Sequence, residues 1–193
     1  MSKQIIDPIP YYPSYVKPNP KLTLEQYQLI QTSWNLIKEG RCQPFKVQEV
    51  ISNPVGFWGL LLYETLFEMD PKLKPLFQNK LRQGEMLTEI VDSALGLLPS
   101  MLDQTLGQGQ ERTGLDPEMI PMLLDLAERH VSYQVKAEHY GTVGMAVITA
   151  LKRSLGNSFD EPTKAAWVEF WSLICSVMIP AHVKKAQEMG VEI

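Results

Sequence analysis

Only three histidines occur in this chain of 193 residues, and two of them, His130 and His139, stand nine positions apart within LAERHVSYQVKAEHY. A neutral imidazole is the commonest metal ligand, and the ring nitrogen that does not ligate needs a hydrogen-bond acceptor. His130 follows Leu123, Leu126 and Ala127 along one stripe of a helix. An imidazole emerging from such an apolar wall costs free energy unless both nitrogens find partners. Two readings are open on these residues alone. One is a histidine satisfied by protein groups. The other is an iron ligand whose second nitrogen meets a backbone carbonyl or Tyr140. The two cysteines, Cys42 and Cys175, form no metal-binding spacing and read as free thiols.

The whole chain narrows the setting. Hydrophobic residues make up 45% and charged residues 21%, the proportions of a soluble globular domain. A net charge of −4 without a basic cluster argues against nucleic acid as a partner. The longest apolar run, GFWGLLLY, is far shorter than the roughly 20 residues that span a bilayer. The opening MSKQIIDPIP has no apolar core of a secretory signal. A cytoplasmic protein is expected, with neither a membrane nor a nucleic acid as partner.

Residues 1–22 hold five prolines and three tyrosines, which makes them an extended arm ahead of a domain over 23–193. TLEQ at Thr23 is a capping box, and Tyr27, Ile30, Trp34 and Ile37 then recur at helical spacing up to Gly40. The joint 41–53 is broken by Pro44 and contains Cys42, which can be exposed there. Pro54 opens a helix that runs to Asp70, and PKLKPLF makes a short turn ending at Phe77. Further helices are expected over about 81–102, 117–130, 137–155 and 160–189, with a loop at 103–116 and a kink at Pro180. Cys175 shares a stripe with Trp171, Met178 and Ile179, as a core thiol would. No alternating run suggests a strand, so the chain is all-α with about seven helices.

Four stretches, SWNLI, LLLYETLFEMDPKLKPLF, LLDLAERHVSYQVKAEHYGTVG and GNSFDEPTKAAWVEFWSLICSVM, together resemble a globin. Asp70–Pro71, Phe77, His130, Tyr140 and Trp167 stand in the order of that family, and the resemblance covers about 23–182. It is nearest in texture to single-domain bacterial globins related to the flavohaemoglobins. What the resemblance implies is a globin fold around haem b, with His130 as the iron ligand and Phe77 stacked on the haem. Tyr63, Gln83 and Leu87 would form the distal wall, and Val135, Tyr140 and Val143 the proximal lining. The histidine common at the position of Gln83 is absent. His182 stands where flavohaemoglobins carry a glutamate joined to the tyrosine matching Tyr140, which weakens the push of negative charge onto the ligand. His139 reads as a surface or haem-edge residue.

Tyr63 and Gln83 would both donate to a polar diatomic ligand, so the resemblance implies reversible, high-affinity binding of O2, with NO and CO as further ligands. Tight retention favours oxidation of nitric oxide, with a separate reductase, over delivery of oxygen. The alternative is a haem-based gas or redox sensor without turnover.

Overall fold

The computed structural model describes residues 6–17, 19–49, 51–77, 87–89, 91–93 and 119–193, which form helices and turns with no strand among them. The helices are α1 (Leu24–Lys38), α2 (Gln43–Lys46), α3 (Pro54–Met69), α4 (Met119–Ser132), α5 (His139–Leu155) and α6 (Glu161–Met189). Residues 87–89 and 91–93 are helical as well. The rest of the helix expected over 81–102, the loop at 103–116 and the candidate Gln83 lie outside the described residues.

Helix starts follow local chemistry. Thr23 Oγ1 accepts the Gln26 amide at 3.2 Å while Gln26 Oε1 accepts the Thr23 amide at 3.0 Å, the reciprocal box that fixes the start of α1. Asn53 caps α3 ahead of Pro54, and Asp160 accepts the Thr163 amide at 2.9 Å to start α6. Gly190, at φ 68°, closes α6 in the left-handed conformation that glycine adopts without strain. Pro180 removes one backbone donor, yet the helix continues through it to Met189.

α3 packs on α5, α4 on α6, and α1 against α6. An aromatic knot joins α1, α3 and α6. Trp34 meets Trp58 edge-on at 5.0 Å and Trp167 at 6.0 Å. Two of the three polar tips are satisfied, with Trp34 Nε1 donating to Asp92 and Trp167 Nε1 donating to Ser33, whereas Trp58 Nε1 has no partner among the described residues. By length and composition α6 could cross a bilayer, but 72% of its apolar window is buried inside this fold, as in a core helix.

Two details refine the expected layout. The joint 41–53 is not all loop: α2 forms within it and packs on α5, which buries Cys42. The arm is anchored. Tyr15 donates to the Gly141 carbonyl at 2.7 Å, and the Lys17 amide donates to Ser172 Oγ at 3.1 Å. The buried Glu169 carboxylate accepts the Lys21 amide and pairs with the Lys17 ammonium.

Candidate functional site

α4 carries His130 in its last turn, on the side whose residues Leu123 and Ala127 are fully buried. His130 Nδ1 lies 2.7 Å from the Leu126 carbonyl, one turn earlier. A carbonyl only accepts, so Nδ1 carries the proton and donates, and the lone pair sits on Nε2. Burial pushes the His130 pKa below its ordinary value, an effect the Leu126 carbonyl opposes and Arg129 reinforces. Of the two partners open to the non-ligating nitrogen, the structure selects the carbonyl. That i−4 spacing was readable in the sequence.

The chain turns sharply after His130. Gln134 adopts φ 62°, unusual for a residue with a side chain, and the Val135 amide returns to the His130 carbonyl at 3.0 Å. This tight return brings in α5 and its Tyr140. The Tyr140 ring lies at 24° to the His130 ring, with centroids 6.0 Å apart. On its other side the Tyr140 hydroxyl meets His182 Nδ1 at 3.3 Å. His182 is fully buried, and its pKa is pushed down to about 4 by burial and by the neighbouring His130 and His139. The imidazole is therefore neutral. Burial raises the Tyr140 phenol.

His139 has a local task. Its Nδ1 accepts the Lys136 amide at 3.1 Å, so this half-buried ring braces the turn before α5. Val135 and Val143 are half-buried on either side of Tyr140 in the chain, and Val143 packs on the core.

A second cluster forms on α3. Tyr63 is buried, with Phe67 stacked at 6.0 Å and Phe77 edge-on at 5.4 Å. Phe67 and Phe77 close the triangle at 5.8 Å. Phe77 reaches it because Asp70 caps the turn Pro71–Leu76 through the Lys72 amide, folding the chain back on α3. Burial raises the Tyr63 phenol, which stays protonated, and its hydroxyl makes no hydrogen bond among the described residues. Leu87 is half-buried against the core. Phe67 packs on the core and also walls the Tyr63 ring.

The residues present fit a haem. A half-buried histidine, its pKa lowered by burial and its tautomer fixed by a carbonyl, offers one unprotonated nitrogen to an iron.

The described residues thus form helices, with His130 set against the apolar face of α4 and a separate aromatic cluster around Tyr63 on α3. The globin family profile matches residues 60–178, and the chain belongs to the globin family. A neuroglobin of Dissostichus mawsoni is 24% identical over 170 residues, covering 87% of this chain and 97% of that protein. A bacterial globin of Campylobacter jejuni superposes with a TM-score of 0.58 at 21% identity, over 84% of this chain and 97% of that one. A flavohemoglobin of Malassezia yamatoensis, solved with bound FAD and heme, gives a TM-score of 0.58 at 18% identity, over 86% of this chain and 38% of that one. Globin membership implies haem binding and the binding of small gases.

Proposed function

We propose that this globin holds haem b on Nε2 of His130, binds O2 with high affinity beside Tyr63 and Gln83, and supports nitric oxide dioxygenation with a separate reductase. When bound, the haem supplies an iron with an open coordination position for a diatomic gas. The observation that carries the reading is the 2.7 Å bond from His130 Nδ1 to the Leu126 carbonyl, which leaves one nitrogen unprotonated.

Tyr63 acts as a donor that is already in place. Phe67 and Phe77 hold its ring, so a hydrogen bond to O2 orders little that was free before. Hydrogen bonds to charged acceptors contribute about 1.5–3 kcal/mol, and about 1.4 kcal/mol is tenfold in affinity. One or two such donors retain O2 and leave less polar CO almost unaffected. The resemblance to a flavohemoglobin solved with bound FAD as well as heme supports a flavin-type reductase as the source of electrons. A sensor role draws on another observation, the arm docked on the helix that carries Tyr140.

Haem content tests the reading. The unmodified chain is expected to take up one haem, and His130→Ala to lose it, with His139→Ala retaining it. Retention in His130→Ala together with loss in His139→Ala would overturn the assignment.

A further inference from the structure

Tyr15 belongs to the arm, yet its hydroxyl donates to the carbonyl of Gly141 at 2.7 Å, across 126 positions of sequence. In a regular helix that carbonyl is the acceptor for the Met145 amide. The phenol hydroxyl thus reaches a backbone carbonyl in the opening turns of α5 and ties the arm to that part of the helix.

The seat for this ring is made by a missing side chain. A Cβ on Gly144 would lie 2.3 Å from the Tyr15 oxygen and 2.1 Å from Trp171 Nε1. Neither ring could remain where it is. A Cβ on Gly141 would stand 3.3 Å from Pro13, so the arm covers both small residues, which are one helical turn apart. Lys17 and Lys21 hold the arm by separate anchors on Ser172 and Glu169, one and two residues from Trp171 along α6.

The residue before Gly141 is Tyr140. Its ring lies against His130, and its hydroxyl meets His182. The conformation of the first turn of α5 therefore sets where the Tyr140 ring stands relative to His130.

We propose that Tyr15 is a positioning residue for the proximal side, donating to the Gly141 carbonyl to hold Tyr140 against His130. Displacing the arm then loosens that arrangement and alters how His130 presents Nε2. The inference rests on the reading of His130 as the haem ligand. It makes the arm a coupling element whose docking is transmitted to the iron site through a single helical turn.

The test uses the full chain with haem, comparing Tyr15→Phe, Gly144→Ala and the double variant. Tyr15→Phe keeps the ring and removes the donor, whereas Gly144→Ala blocks the seat and leaves Tyr15 intact. Two readouts are taken: the iron–histidine stretching frequency of the ferrous, ligand-free form, and amide exchange over residues 140–145. Each single variant is expected to shift the stretch and to speed exchange in that segment by about tenfold, as loss of a local hydrogen bond allows. The double variant should add little, because both changes break one contact. Folded, haem-loaded single variants with an unmoved stretch would overturn the proposal, as would unchanged exchange over 140–145 or effects that simply add. Haem content of the unmodified chain tests the His130 reading by itself. Exchange over 140–145 is read in the same samples, so the two failures are distinguishable.

Discussion

Tyr140 and His182 form a buried pair behind His130, with hydroxyl and Nδ1 3.3 Å apart and the rings nearly perpendicular at 88°. In the tautomer that lets the Tyr140 hydroxyl donate to Nδ1, the proton of His182 is on Nε2, which has no partner among the described residues. A carboxylate at this place would bring negative charge toward His130. A neutral imidazole does not. The chain thus keeps the hydrogen-bonded link behind His130 and omits the charge, which reduces the electron push on any iron held there.

Burial of His182 sets a pH dependence of stability. Its folded pKa of about 4 lies below the ordinary 6.5, so as pH falls below 6.5 the unfolded chain takes up a proton that the folded chain refuses. The contribution is fully present above pH 6.5 and is lost progressively down to about pH 4, by up to about 3 kcal/mol. Denaturant titrations of the unmodified protein and His182→Gln across this range check it. The gap between them is expected to narrow as pH falls, since His130 and His139 titrate in both. A constant gap would show that His182 takes up its proton equally in both states.

Much of the fold was legible because its signals are local. Thr23, Pro54 and Asp160 each act within one turn, and each starts a helix as their chemistry dictates. The stripe ending at His130 is also a local pattern, and so is the Leu126 carbonyl four residues before it. The triangle of Tyr63, Phe67 and Phe77 was legible only in part. The order of the residues suggested a pocket, but the role of Phe67 depends on how the turn at Asp70 folds back. The seat of the arm was not legible. Tyr15 meets a carbonyl 126 positions away, beside a glycine whose relevance is the atom it lacks. Cys42 was misjudged for a related reason, since its burial comes from α2 packing on α5 rather than from its neighbours in sequence.

The arm is held by a buried charge. Glu169 accepts the Lys21 amide and pairs with Lys17, so Glu169→Gln leaves one acceptor and removes the ion pair. Lys21 is the tryptic site in this stretch, because Lys17 precedes Pro18. Cleavage after Lys21 is expected to speed up by about fivefold or more, as the bound arm detaches more often. Unchanged digestion would mean that Tyr15 and Ser172 hold the arm without Glu169.

The ferrous, ligand-free protein is expected to have five-coordinate iron. A second strong nitrogen ligand would have to be a histidine, and His139 and His182 are committed to Lys136 and Tyr140. Tyr63 remains a neutral phenol because burial raises its pKa, and a neutral phenol is a poor ligand for Fe(II). An absorbance spectrum with the sharp paired bands of a low-spin bis-histidine complex would contradict this.

Oxygen release tests the Tyr63 assignment. The ring is fixed between Phe67 and Phe77, and its hydroxyl has no competing hydrogen bond among the described residues. A donor held this way loses little entropy when it bonds a ligand. Tyr63→Phe keeps the ring contacts and removes only the donor, with an expected loss of about 1.5–3 kcal/mol for a bond to a charged acceptor. Oxygen release should therefore quicken by about ten- to a hundredfold. Release of CO, which carries less charge on its outer atom, should change far less. Stopped-flow dissociation of both gases, with Gln83→Leu measured alongside, separates the two donors. If Tyr63→Phe leaves the oxygen rate unchanged while Gln83→Leu raises it, the phenol does not face the ligand and Gln83 is the donor.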